Sequence, residues 1–141
     1  MCFATQQLGR NLPNFPNSHL VLSEKENTAI CAKNVVFNGY LTMHYPDWFK
    51  PESVDFSDGE FENSRRCTKL TQDGRVILVE TLEHTLGHLS VIVDMGDHYI
   101  LIAGDASYDG TLHRQSTAKM RELCRRKPTI TQFAHDMESK N

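Results

Sequence analysis

Two apolar runs near the middle of the chain, Leu89-Ser90-Val91-Ile92-Val93 and Tyr99-Ile100-Leu101-Ile102-Ala103, are too short for helices and rich in β-branched residues, which predicts strands. Both are apolar at successive rather than alternate positions, the pattern of strands covered on both faces. Met95-Gly96-Asp97 between them reads as a turn. Upstream, Cys67 to Leu70 and Arg75 to Val79 flank Asp73-Gly74. That dipeptide predicts a tight type I′ hairpin turn, which needs positive φ. His19 to Leu22 predicts a further short strand. Ser23-Glu24-Lys25-Glu26 predicts a capped helix running to about Lys33, because the Ser hydroxyl can accept from a free helix amide and the Glu can return the bond. A second helix is predicted from Gly110 to Arg126, capped by Asp109, with Met120, Leu123 and Cys124 on one face. Arg121, Arg125, Arg126 and Lys127 suit its negative end, and Pro128 stops it. Thr129 to Phe133 predicts the last strand.

Two stretches lack periodicity. Met1 to Asn17 is polar and turn-rich. Asn34 to Asn63 mixes Phe37, Tyr40, Tyr45, Trp48 and Phe49 with Pro46, Pro51 and Gly39, then turns acidic at Glu52, Asp55, Asp58, Glu60 and Glu62. The segment 34–63 reads as a long loop packed by its own aromatics or as a cap over a ligand pocket, since long ordered loops in compact domains are often functional.

Composition adds boundaries. A chain of 141 residues is one domain's worth, so 1–141 is read as a single domain. The net charge of -3 gives no electrostatic reason to expect nucleic acid or anionic membrane as a partner, and no apolar run reaches the ~20 residues of a bilayer span. Cys2, Cys31, Cys67 and Cys124 form no C-x-x-C pair and read as free thiols. No basic-then-apolar leader opens the sequence. A cytoplasmic protein is expected.

The candidate chemistry sits at strand borders. His88 precedes the first apolar strand, Asp105 follows the second, and His135 follows the last. Imidazole and carboxylate are natural ligands for zinc and similar divalent metals, and strand ends hold such groups rigidly. Their separations have no local geometric meaning, so satisfied structural histidines and a turn-capping Asp remain the plain alternative.

The residues also carry a resemblance. His84-Thr85-Leu86-Gly87-His88-Leu89-Ser90 resembles the T-P-G-H-(T/S)-P-G-H-x-S segment of the metallo-β-lactamase superfamily. Gly104-Asp105-Ala106-Ser107-Tyr108 resembles the bridging-aspartate segment in the D-A-S-Y form of the N-acyl homoserine lactone lactonases. Lys127 to Ile130 through Ala134-His135-Asp136 is similar to the strand and G-H-D ending that carries the last metal histidine. Leu12-Pro13-Asn14-Phe15-Pro16-Asn17 is similar to the segment beyond the family's first motif. The resemblance implies an α+β fold, part of an αββα sandwich with a mixed sheet and flanking helices. It implies that His88 binds one metal, His135 the other, and that Asp105 bridges them. Tyr108 would hydrogen-bond the oxygens of a small-molecule lactone or ester. Zinc or another divalent metal is the implied cofactor, and metal-dependent opening of a lactone ring the implied reaction, since two metals activate water and polarise the carbonyl.

One motif departs. The family's H-x-H-x-D-H falls on Cys2-Phe3-Ala4-Thr5-Gln6-Gln7, placing Ala4, Gln6 and Gln7 where ligands belong. Leu86 also replaces a proline. Cys2 with His88, Asp105 and His135 would suffice in type for a single zinc. Two readings follow: an incomplete or divergent lactonase-type hydrolase, and a catalytically silent relative that binds or does nothing. Half of a two-sheet sandwich would leave an apolar sheet face uncovered, so a marginally stable product, a homodimer or a missing-half partner is expected.

Overall fold

In the computed structural model of the chain, the described residues are 2–3, 12–31, 45–62, 64, 66–81, 87–104 and 114–133. Contacts divide the chain into two compact units, Met1–Asp55 and Phe56–Asn141.

The first unit holds a three-stranded parallel sheet in the order β1 (Cys2–Phe3), β2 (Leu20–Ser23), β3 (Glu52–Val54). Cys2 pairs with Leu20 and Val21 with Glu52. All four residues of β2 are buried, as a central strand requires. Helix α1 (Glu24–Ile30) leaves β2 directly, and Ser23 is its cap: Glu26 N–H donates to Ser23 Oγ at 3.1 Å. The helix ends at Ile30, short of the predicted Lys33, with Cys31 as its C-cap. Two turns are marginal on propensity alone. Burial holds them: Ile30 packs with Leu22 against Ala29, Tyr45 and Phe49, and the Tyr45 and Phe49 rings stack at 4.3 Å. Asn27 Nδ2 donates to Ser53 Oγ at 3.1 Å, tying α1 to β3.

β1 and β3 were not expected. Cys2-Phe3 is only two residues long inside a turn-rich stretch, and Glu52-Ser53-Val54 has a weak β composition inside the 34–63 excursion. Pairing with the buried β2 overrides those local signals. Of that excursion, residues 34–44 and 63 lie outside the described set.

The second unit is a five-stranded sheet in sequence order: β4 (Cys67–Lys69), β5 (Val76–Glu80), β6 (Leu89–Asp94), β7 (Tyr99–Gly104) and β8 (Thr129–Phe133). The first four form an antiparallel meander, and β8 joins β7 in parallel. Helix α2 (Arg114–Arg126) makes that parallel crossover. It ends where predicted. Residues 110–113 lie outside the described set.

The expected type I′ turn is a longer loop. Leu70 N–H reaches Val76 O at 2.8 Å and Gly74 N–H reaches Thr71 O at 2.9 Å. Only Gly74 of the pair has positive φ, at 68°, whereas type I′ needs it at both central residues. Asp73 instead accepts from Arg75 N–H at 3.1 Å.

One face of the sheet carries the core: Cys67, Ile77, Val79, Ile92, Tyr99, Leu101 and Ala103, covered by Leu123 of α2 with Phe61 and Phe133 alongside. Leu101 is 1% exposed, and burial of such a side chain contributes roughly 2 kcal/mol. Leu123 is buried as predicted, but Cys124 is exposed. By strand alternation the other face carries Leu78 and Val91, both buried, then Ile102 and Ile130 at 44% and 57% exposed. Coverage of both faces, as expected for β6 and β7, fails toward β8. Among the described residues no helix is long and apolar enough to cross a membrane.

Candidate functional site

β6 and β7 are antiparallel and β7 and β8 are parallel. The start of β6 and the ends of β7 and β8 therefore share one edge of the sheet. His88 immediately precedes β6, and Gly104 pairs with Phe133 at the far ends of β7 and β8. From Gly104 the chain runs into Asp105 and on to Tyr108, and from Phe133 it runs through Ala134 into His135. Asp105, Tyr108, His135 and His84 themselves lie outside the described residues, as do Ala4 to Gln7 and the side chain of Cys2. Among the described residues no group of three His, Cys, Asp or Glu is placed to hold a metal.

His88 is the anchor of this edge. The ladder pair Glu80–Leu89 continues by one step, with Thr81 N–H donating to His88 O at 3.0 Å. Thr81 thereby faces His88, and its Oγ1 lies 2.7 Å from Nδ1. Ser90, two residues on and so on the same side of the strand, lies 2.9 Å from Thr81 Oγ1 and donates to Ala103 O at 3.3 Å. His88, Ser90 and Thr81 are all buried, at 4%, 0% and 6% exposure. The opposite edge of the ring faces the end of β7: a β-carbon built on Gly104 would stand 3.0 Å from Nε2 and 3.4 Å from Cε1. Gly104 has φ +59°, and β7 bulges against β8 between Ile102 and Gly104. Bulges of this kind re-aim chain at strand ends.

This arrangement suits a metal at the edge. One imidazole nitrogen is tethered by a hydroxyl and the other points to the backbone position from which Asp105 follows. Glycine leaves the space that a side chain would fill. A buried hydroxyl on one imidazole nitrogen is the kind of outer partner that metal-ligating histidines have.

Beside the His88 edge Arg66 Nη1 meets Glu80 Oε1 at 3.4 Å, and a further set of charge interactions lies at the other edge. Lys127 Nζ donates to Asp94 Oδ1 at 2.5 Å and stands 4.1 Å from the centre of the Tyr99 ring. The Lys127 hydrogen bond, then the Gly96 amide, hold the Asp94 carboxyl below the usual carboxylate range. Burial pushes the Tyr99 phenol up. Arg126 bridges Glu62 at 2.8 Å and Glu122 at 3.5 Å. Arg125, Arg126 and Lys127 of the basic cluster at the end of α2 are thus paired with carboxylates of the fold.

Thr81 was not among the sequence candidates. Nothing in its position in the sequence separates it from other threonines, because only the β5–β6 register brings it to His88. Ser90 was visible as part of the quoted segment, without a role.

No protein-family model matches the chain, and no curated protein matches it in sequence. Solved structures do match. The class they define is the metallo-β-lactamase fold, here a partial α+β domain of mixed sheet and few helices. The matches include N-acyl homoserine lactone hydrolases. An AiiA variant of B. thuringiensis with N-decanoyl-L-homoserine at its active site superposes with a TM-score of 0.65 and 19% identity, over 92% of this chain and 51% of its own. A quorum-quenching N-acyl homoserine lactone lactonase gives 0.66 and 19%, over 92% and 54%. A hydrolase with N-hexanoyl-L-homoserine at its catalytic metal centre gives 0.65 and 19%, over 92% and 51%. The chain thus spans about half the length of the structures it matches.

Proposed function

We propose that this chain is a metal-dependent hydrolase of the lactonase type, acting on a small lactone or ester, with a divalent metal such as zinc held by His88, Asp105 and His135. The observation that carries the reading is the convergence of three strand ends on one sheet edge, with His88 already tethered there through Nδ1. The solved structures that share the fold include N-acyl homoserine lactone hydrolases, one with product at its catalytic metal centre.

When bound, the metal would supply Lewis acidity toward the ring carbonyl. The chain's own residues supply the rest. His88 would hold its ligating nitrogen in place through Thr81. Tyr108 would offer a phenol hydrogen to the substrate oxygen on which charge develops. Buried Thr81 and Ser90 exclude water from behind the imidazole.

The sequence at 2–7 supports a second reading, a silent relative that keeps the fold for binding. Ala4 has no donor atom, and Gln6 and Gln7 are poor ligands beside carboxylate or imidazole. Metal content of the purified chain, measured with hydrolysis of N-acyl homoserine lactones, decides between them. About one zinc per chain and turnover lost on substitution of His88, Asp105 or His135 by Ala supports the enzyme. Metal-free protein with no turnover above buffer, after incubation with zinc, leaves the silent reading.

A further inference from the structure

Proton counting along the buried hydroxyls fixes which nitrogen of His88 carries hydrogen. Ala103 O can only accept, so the 3.3 Å contact with Ser90 uses the Ser90 hydroxyl hydrogen. Ser90 Oγ must then accept from the Thr81 hydroxyl across 2.9 Å. With its hydrogen committed, Thr81 Oγ1 can only accept across the 2.7 Å contact with His88 Nδ1. Nδ1 is therefore the protonated nitrogen and Nε2 carries the lone pair. The reverse direction, Ser90 to Thr81 to Nδ1, makes two hydrogen bonds where this one makes three, and strands Ser90 without a donor for Ala103 O. Buried networks settle on the arrangement that satisfies more of their groups.

We propose that Thr81 and Ser90 are positioning residues, forming a one-way hydroxyl relay that locks His88 as the Nδ1–H tautomer and turns the Nε2 lone pair toward Gly104. The partner of one ring nitrogen sets the state of the other, and a lone pair on Nε2 is what a divalent metal at this edge would take. The purpose assigned to the relay rests on the metal reading above; the relay itself does not.

The test is the tautomer of His88 by 15N NMR in the metal-free chain, at a pH where the ring's own nitrogen shifts report the neutral form. The wild type is expected to show hydrogen on Nδ1. Ser90→Ala leaves the Thr81–imidazole pair itself in place, yet frees the Thr81 hydroxyl to donate to Nδ1 and is expected to move the proton to Nε2. Thr81→Val removes the acceptor and is expected to do the same, while Thr81→Ser keeps the wild-type tautomer. Zinc affinity is expected to fall roughly 10- to 100-fold in Ser90→Ala and Thr81→Val and to recover in Thr81→Ser. Hydrogen on Nε2 in the wild type overturns the relay without any variant having to fold. So does an unmoved tautomer in folded Ser90→Ala. A wild type with Nδ1–H that takes up no zinc upholds the relay and removes the metal reading instead.

Discussion

Gly104 stands against the Nε2 edge of His88, so closely that a β-carbon there would come within 3.0 Å of the nitrogen. Its φ of +59° is a second reason for glycine, because a side chain in that conformation is strained. Gly104→Ala is expected to cost about 1–3 kcal/mol of stability and to displace the imidazole from Thr81. Urea unfolding and the His88 ring signals check both. Unchanged ring signals would mean that the contact does not constrain the histidine.

Ser23 caps a helix of only two turns. Ser23→Ala is expected to cost about 1 kcal/mol, and to speed amide exchange in α1 more than in the sheet of the other unit. Hydrogen exchange read by residue locates the loss. Equal acceleration in both units would place the effect elsewhere than the cap.

The pairing of Asp94 with Lys127 predicts a pH dependence. The Asp94 carboxyl is held below its unfolded value, chiefly by the Lys127 hydrogen bond. Its contribution is full above the unfolded value of about 3.9 and is lost as pH falls through the lower folded value. The urea midpoint of Asp94→Asn should lie below that of the wild type at neutral pH, and the gap should close at strongly acid pH. A gap independent of pH would show that charge is not its source.

Ile102 and Ile130 leave apolar surface on the face of the sheet opposite its core. Replacing both by Lys is expected to shift stability by no more than about 0.5 kcal/mol per site, as for other surface positions, and to reduce self-association. Sedimentation at several concentrations reads this directly. An oligomer unchanged by the double substitution would move the interface off this face.

Much of the fold was legible where the signal was local. The apolar runs gave β6 and β7, Ser23 and Glu26 gave the start of α1, and Pro128 gave the boundary between α2 and β8. β1 and β3 were hidden because two or three residues of weak propensity become strands only beside Leu20 to Ser23. Gly74 was correctly placed in a turn, but Asp73-Gly74 could not reveal that Thr71 would close the loop. The site was legible in part. His88 stood out by its border position, while its partner Thr81 depends on a register that no local pattern encodes. Gly104 was visible only as a neighbour of Asp105, and its need for a missing β-carbon emerges from the approach of the imidazole.

The meander of β4 to β7 connects each strand to its sequence neighbour, whereas β8 reaches its place only after the crossover through α2. Short-range pairings form early and long-range ones late. β8 is also one of the sheet's two outer strands, with Ile130 and Gln132 exposed, so it should open in the native state more readily than the central strands. The chain enters His135 from that strand. On the proposed metal reading, the edge that His135 would complete depends on β8 being docked, so that a cation bound there would act as a latch on that strand.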